Sequence, residues 1–520
     1  MPSEDGAATG GDDFEPRLRL HPASWLFVTA NYLKAFLVPL IVAMIVGANR
    51  DAGWWAPAVA VGPLIAAALW QQWIYRYGFS ARGLVIHEGL IFRNVRTIDY
   101  GRIENVDTER GLLHRLFGVA EVRVETSTGG GAEARIRVLD LAAVTDMREH
   151  IFAGRGRDGE TAGERPAAAG TQGEETLLAL TPRELVRFGL IDNRGMIVVA
   201  AVLGLLAQGG FFERLEERAE PLAGQLPWES LFGFSRSMQV LLGFATVVGL
   251  IAATRILSII VAFVTLYDFR LTRQGGDLHT RYGLLTRISL TLRQRRIQAV
   301  HQTATPLHRL FERVSLRVDL AGGLTAGAAQ QQGPNSWREL WLAPICPRHE
   351  ADRLIRVALP QVDLSGLRWR GLAPRARWRL FRVLSWSWLL VATVPAVWLA
   401  GVWSIAILLA PLPLLWLHAH LYVKYTGWAL QEELFVLRRG WLTRKLSMAP
   451  RNRVQSVHLR ESPFDRRYGM AELHVDNAGA SSLSHRFVIP YLDRRDAQGL
   501  AAELYGSSIV SPDAPAAPTQ

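Results

Sequence analysis

Few residues of this 520-residue chain have types and spacings that could do chemistry. His418 and His420 sit two apart in an apolar stretch, and neutral imidazoles bind metals and carry protons. On a helix, residues two apart point to different faces, so the pair needs a third converging ligand, and a satisfied interfacial pair is the simpler reading. Lys34 and Arg255 also fall inside apolar stretches, where ionisable side chains are costly and mark functional sites by default. A transporter or a membrane-embedded enzyme would gather Lys34, Arg255, His418 and His420 in one polar cavity. Lys34 lies near one end of its stretch and can snorkel, and the stretch around Arg255 is long enough to bring it to an interface. There is no phosphate loop, no GxGxxG after a strand, no HExxH and no nucleophile elbow. The single cysteine, Cys346, rules out a disulfide framework and a thiolate zinc site. A non-enzymatic protein without cofactor or metal is therefore expected.

Cations carry the stronger signal. Arg287, Arg293, Arg295 and Arg296 cluster in one segment, and Arg438, Arg439, Arg444, Lys445, Arg451 and Arg453 in an equivalent one. Beside an anionic leaflet such residues gain about 1 kcal/mol each, so this is the candidate surface for anionic lipids or a partner. An ordinary solvated strand face accounts for the same charges. The formal net charge is +11 with 49% hydrophobic residues, and the mean hydropathy of +0.11 is high for a soluble chain of this length. Because the charge is tied to apolar stretches, nucleic acid is not the expected partner.

Six stretches approach the roughly 20 apolar residues that cross a bilayer. They fall in pairs: Trp25 to Gly47 with Trp54 to Trp73, Met196 to Phe212 with Met238 to Leu266, and two within Trp378 to Val423 that must fold back near Gly401. Arg17, Arg19, Arg76, Arg82, Arg183, Arg187, Arg270, Arg273, Lys424 and the arginines from Arg368 to Arg382 flank the open ends of these hairpins. The loop with Glu213, Glu216, Glu217, Glu220 and Glu229 is acidic. The positive-inside rule then places both termini and everything between hairpins in the cytoplasm. The acidic, Gly-rich Met1 to Glu15 does not read as a signal peptide.

Between and after the hairpins one pattern recurs three times. It reads Gly89-Leu90-Ile91, Arg102-Ile103-Glu104-Asn105-Val106 and Leu113-His114-Arg115-Leu116-Phe117-Gly118 in the first copy. The second reads Gly283-Leu284-Leu285, Arg296-Ile297-Gln298-Ala299-Val300 and Leu307-His308-Arg309-Leu310-Phe311. The third reads Gly440-Trp441-Leu442, Arg453-Val454-Gln455-Ser456-Val457 and Phe464-Asp465-Arg466-Arg467-Tyr468-Gly469. In each copy 13 positions separate Gly from the first Arg and another 13 separate that Arg from the next. Alternation in Ser289 to Leu292, Arg296 to Val300 and Val314 to Asp319 predicts half-buried strands. The Leu/Phe-x-Arg stretch predicts a short helical turn, and helices are expected over Ala142 to Phe152, Pro347 to Val357 and Leu492 to Tyr505.

The triplicated motif resembles the bacterial membrane-flanked domain family, classed as bacterial pleckstrin-homology-like (PH-like) domains, and the whole chain resembles its three-domain, YdbT-like members. The resemblance implies three small PH-like domains, each a two-sheet antiparallel β sandwich or barrel capped by a C-terminal helix, beside α-helical membrane hairpins with six spans. The divisions expected are a disordered cytoplasmic N-terminus (1–24), hairpin 1 (25–74), PH-like domain 1 (75–155), a disordered linker (156–175), an amphipathic lead-in with hairpin 2 (176–266), and PH-like domain 2 (267–360). A basic lead-in with hairpin 3 (361–423), PH-like domain 3 (424–506) and a disordered tail (507–520) complete them. Leu112 stands where Pro306 and Pro463 stand in the other copies, and Glu312 where Gly118 and Gly469 stand. The resemblance further implies a multi-pass protein of the bacterial inner (plasma) membrane, acting as a scaffold for protein or lipid contacts in envelope stress or resistance to membrane-active peptides. A smaller, single-domain PH-like membrane protein is the expected partner, alongside anionic lipids.

Overall fold

A computed structural model describes residues 18–27, 29, 66, 69–70, 72–80, 83–88, 94–126, 132–155, 175–208, 236–321, 340–360, 362–364, 366–400, 404–431, 433–477 and 487–505. Lys34, most of the first hairpin, the acidic loop 213–229, residues 1–17 and 156–174 of the segments expected to be disordered, and the whole expected tail 507–520 lie outside the described residues.

Three copies of one unit follow each other. Unit 1 has a four-stranded antiparallel sheet, β1 (Leu18–Arg19), β2 (Arg76–Phe79), β3 (Gly83–Glu88) and β4 (Asn94–Asp99). A turn of 3-10 helix (Tyr100–Arg102) leads to β5 (Ile103–Arg110), α1 (Leu112–Leu116), β6 (Val119–Thr126), β7 (Ala132–Asp140) and α2 (Leu141–Arg155). Unit 2 repeats this with β8 (Glu175–Ala179), then α3 (Pro182–Ile191), α4 (Arg194–Gln208) and α5 (Arg236–Leu266), then β9 (Arg270–Gln274), β10 (Asp277–Tyr282) and β11 (Arg287–Leu292). Its second half holds β12 (Ile297–Ala304), α6 (Pro306–Leu310), β13 (Arg313–Leu320), β14 (Trp341–Pro347) and α7 (Arg348–Ala358). Unit 3 begins with β15 (Arg370–Gly371), α8 (Ala376–Ala400), α9 (Ser404–Leu409) and α10 (Leu412–Tyr425), followed by β16 (Gly427–Leu430), β17 (Leu434–Arg439) and β18 (Arg444–Pro450). It ends with β19 (Val454–Arg460), α11 (Pro463–Arg467), β20 (Met470–Asn477), β21 (Phe487–Asp493) and α12 (Arg494–Tyr505).

The expected strands, short helical turns and closing helices are all present, though Arg296 itself belongs to a 3-10 turn. Gly440, with φ of 83°, makes the tight β17–β18 turn, and a Cβ there would meet the Thr443 carbonyl oxygen at 2.5 Å. Glu312 takes the left-handed conformation, φ 53°, that Gly118 and Gly469 take at the same place, so the turn survives without glycine.

Two features depart from three isolated domains. First, the opening strand of each unit lies upstream of its hairpin and pairs with the strand just downstream, as in Leu18↔Tyr77, Thr176↔Thr272 and Arg370↔Trp428. Each apolar helical segment is thus inserted between the first and second strands of a sheet that grips both its ends. Second, neighbouring units share sheets. β5 pairs with β11, joining the second sheet of unit 1 to the first sheet of unit 2 in a seven-stranded sheet. β12 pairs with β18 and joins units 2 and 3 in the same way.

The hydrophobic cores follow this division. Tyr77, Leu84, Ile98, Ile103, Val122, Ile136 and Met147 build a core within unit 1. The unit 2 core includes Leu434, Val436 and Met448 from unit 3, and the unit 3 core includes Ala299 from unit 2.

Two described helical stretches are long and apolar enough to cross a membrane, Val240–Leu266 in α5 with mean hydropathy 2.5 and Ile405–Tyr425, which runs through α9 and α10, with 1.6. Only 11% and 6% of their apolar windows are buried, so they are not core helices of a water-soluble fold. α3 and α4 approach α5 closely because Gly189 and Gly195 face it. A Cβ at Gly189 would lie 2.5 Å from Ile259 Cα, and Gly195 N donates to Ser258 Oγ (2.9 Å).

Candidate membrane-surface site

The β17–β18 turn folds Arg438, Arg439 and Arg444 back onto the last turn of α10, where an apolar helix meets a sheet. Arg438 Nε donates to the Tyr425 carbonyl (3.0 Å), meeting an unpaired helix-end acceptor, while its guanidinium lies 4.6 Å from the Trp369 ring. Arg439 Nε donates to Tyr422 Oη (2.7 Å), and Arg444 lies 5.1 Å from the Tyr425 ring. Lys424 is 5.9 Å from that ring, and Trp441 Nε1 donates to His418 Nδ1 (3.2 Å). The result is a belt of cations and amphipathic aromatics around one helix end, the composition that anchors helices at a membrane–water interface.

A second belt surrounds the start of α8. Arg379 Nε pairs with Asp465 Oδ1 (3.2 Å) and its guanidinium sits 5.2 Å from the Phe464 ring. Arg382 Nη1 donates to Tyr468 Oη (2.8 Å), and this contact holds the phenol below its ordinary range. Trp378 and Trp416 pack at 4.4 Å. The repeated short helix therefore docks onto the lead-in of its own hairpin. Phe27 does this against His114 and Phe117 in unit 1, at 4.2 and 6.0 Å between centroids. In unit 2 the equivalent tie comes from the strand after the short helix, where Arg313 at the start of β13 grips Glu184 of α3 through Nε and Nη2 (3.1 and 3.0 Å). Burial alone would raise the Glu184 carboxyl, but Arg313 and Arg187 together hold it below the usual range.

The arginine of that short helix reaches the next unit. Arg115 Nη1 donates to the Leu284 carbonyl and Arg309 Nη2 to the Leu442 carbonyl, both at 3.1 Å. The sequence repeat contained this latch, but spacing alone could not say that its acceptor belongs to the following copy.

The basic residues singled out from the sequence do not form one patch. Arg287 lies at the joint of units 1 and 2, opposite Arg110 and 3.6 Å from Asp268, and burial with its arginine neighbours lowers its pKa. Arg296 donates through Nε and Nη2 to the Ala321 carbonyl (3.1 and 2.5 Å), closing its own sheet. Arg293 is the N-cap of the same 3-10 turn and Arg295 lies within it. Lys445 pairs opposite Thr303 at the joint of units 2 and 3, exposed at its edge, and partial desolvation with Arg317 and Arg439 nearby lowers its pKa. Arg451 donates to the Glu503 carbonyl at an open cleft that Arg368 and Glu433 also line, and Arg453 ends the preceding 3-10 turn. The short alternating strands read as solvated faces, yet two of them are joints. Arg287, Arg444 and Lys445 consequently line interfaces, and only Arg438, Arg439 and Arg444 join the helix-end belt.

Arg255 Nη1 donates to the carbonyls of Leu190 (3.1 Å) and Asp192 (3.3 Å) and to Asn193 Oδ1 (2.7 Å), capping the end of α3. His418 bonds Trp441, and His420 is exposed. Among the described residues Arg255, on α5, and His418, on α10, have separate partners.

The family described as bacterial PH domain matches residues 28–155, 223–356 and 389–508. The chain belongs to the bacterial PH domain family. Each match runs from within an apolar hairpin through the β-rich unit that follows it. The chain is also similar to the UPF0699 transmembrane protein YdbT of Bacillus subtilis (strain 168), at 24% identity over 499 residues, covering 91% of this chain and 94% of that protein. No solved structure gives a match.

Proposed function

We propose that this member of the family is a non-enzymatic, multi-pass protein of the bacterial plasma membrane. Its six spans form three hairpins, with both termini and all three PH domains in the cytoplasm. The joined PH domains act as a scaffold at the inner leaflet for anionic lipids and for a smaller PH-like membrane protein, in envelope stress or resistance to membrane-active peptides.

The observation that carries this reading is the belt of Arg438, Arg439, Arg444 and Lys424 around Tyr422, Tyr425 and Trp369 at the foot of α10. Arg439 and Lys424 are the members to test, because neither closes a backbone turn. Reversing both to Glu in the full-length chain lowers retention of anionic phospholipid, read by native mass spectrometry against a zwitterionic lipid, by roughly tenfold or more at about 1 kcal/mol per charge. Unchanged retention contradicts the lipid-facing role of the belt. A reporter inserted in the loop from Glu213 to Glu229 should signal from outside the cytoplasm, and a cytoplasmic signal contradicts the orientation. The transporter reading draws no support from Arg255, which is engaged in capping a helix, or from His418, which bonds Trp441.

A further inference from the structure

The two joints between units have one register. Arg287 pairs with Arg110, Ile288 with Glu109 and Ser289 with Thr108 at the first. Arg444 with Ala304, Lys445 with Thr303 and Leu446 with Gln302 are the same repeat positions at the second. Each joint thus brings the first strand of one unit's second sheet against the last strand of the next unit's first sheet. Three units make two such joints and leave one half of each kind unused, β19 in unit 3 and β4 in unit 1. Both are edge strands of their sheets among the described residues.

Their surfaces show what is missing. His458 of β19 is exposed, whereas Asp107 and His301 at the same repeat position, covered by a joint, are 3% and 2% accessible. Val95 of β4 is 56% exposed, and its counterpart Leu446 is half-buried against the neighbouring core. Natural edges are usually guarded by proline, inward charges or bulges. Neither Val454–Arg460 nor Asn94–Asp99 contains proline. The bulge at Val454/Ser456 is no guard, because the same bulge occurs at Ile103/Asn105 and Ile297/Ala299 in the two strands that are joined. Arg466, the counterpart of the latching Arg115 and Arg309, is exposed and makes no side-chain hydrogen bond or ion pair among the described residues.

We propose that β19 of one copy of this chain adds to β4 of a second copy in the register of the internal joints, so that Arg460 faces Asn94, Leu459 faces Val95, His458 faces Arg96 and Val457 faces Thr97. The occupant is a second copy because one chain carries both unused halves, and the contact continues an interface already made twice within it. Such a head-to-tail contact is heterologous and propagates into a ring or a row, with the hairpins of every copy in one bilayer.

The test uses full-length chains with two different tags, one carrying Leu459→Cys and the other Val95→Cys, co-expressed and oxidised in native membranes. Native Cys346 is buried and gives little background. The expected result is a mixed-tag species at twice 57.8 kDa that needs both substitutions. A Gln302→Cys, Leu446→Cys chain, crosslinked internally without a gain in mass, shows that the units are folded and the oxidation works. Absence of the mixed-tag species beside a working internal pair overturns the proposal, as does a Leu459→Cys chain that crosslinks to its own kind. Capture of a smaller protein by Leu459→Cys in place of the Val95→Cys copy overturns the choice of occupant. A second readout is native mass in lipid nanodiscs, where the unmodified chain should give multiples of one copy and Leu459→Arg a single copy.

Discussion

The two joints use the same strands in the same register, yet they are built differently. Between units 2 and 3, Leu434, Val436 and Met448 enter the core of unit 2 while Ala299 enters that of unit 3. A buried His301 sits in the seam, bonded to Ser447 Oγ (2.8 Å) and Asp319 Oδ2 (2.9 Å). Between units 1 and 2 the core of unit 1 contains only its own residues, and the seam sets Arg110 opposite Arg287. Five residue pairs register at the inner joint and three at the outer. Backbone pairing fixes the relative position of the units, whereas apolar continuity decides whether they behave as one cooperative body. Units 2 and 3 should therefore unfold together and unit 1 separately.

The largest test of that contrast is Met448→Ala. Met448 is fully buried in a unit 3 strand but packs in the unit 2 core, so truncation should cost about 2–5 kcal/mol and weaken both units together. Hydrogen exchange across β12, β13, β20 and β21 checks this, and an effect confined to unit 3 breaks the comparison.

Acid is the next lever. Burial, reinforced by Arg317, lowers the His308 pKa to about 4, and its ring is bonded to Ser315 Oγ (2.8 Å). The unfolded chain takes up that proton near pH 6.5 and the folded chain only near 4, so stability is intact above pH 6.5 and falls as pH drops through this window, by roughly 3 kcal/mol. Thermal unfolding between pH 7 and 4 should show units 2 and 3 losing stability together, and His308→Gln should flatten this slope.

Smaller again is the latch. Arg309→Ala removes a hydrogen bond to the Leu442 carbonyl and should cost about 1 kcal/mol, with little propagation because the cores remain fused. Arg115→Ala, at about the same cost, should loosen unit 1 visibly in limited proteolysis because no shared core backs it. The smallest effect belongs to Arg287→Gln. Relieving the like charge opposite Arg110 should change stability by about 0.5 kcal/mol or less and remove a tightening of the outer joint by added salt.

The repeat itself was legible because its turns and apolar positions are local. The short helices start where Thr305 and Ser462 form capping boxes, and Gly118 and Gly469 end two of them. The joints were not legible. Gln298 and His301 are polar residues of a strand read as half-buried, yet both are 2% accessible, with unit 3 against them: Phe487 lies beside the His301 ring and Asn477 donates to the Gln298 carbonyl. The opening strands were equally silent, since Leu18–Arg19 and Arg370–Gly371 are two residues long and owe their structure to partners beyond a hairpin. For the candidate site, sequence located the charge, but which arginines stand at a helix end depends on the Gly440 turn and on Tyr422 and Tyr425.

The contrast between the joints is tested most directly by hydrogen exchange on the full-length chain in lipid nanodiscs, comparing β12 and β18 with β5 and β11. The account predicts that β12 and β18 exchange slowly through one shared opening, while β5 and β11 exchange faster and at rates that differ from each other. Equal protection and common kinetics for all four strands, or independent opening of β12 and β18, would contradict it.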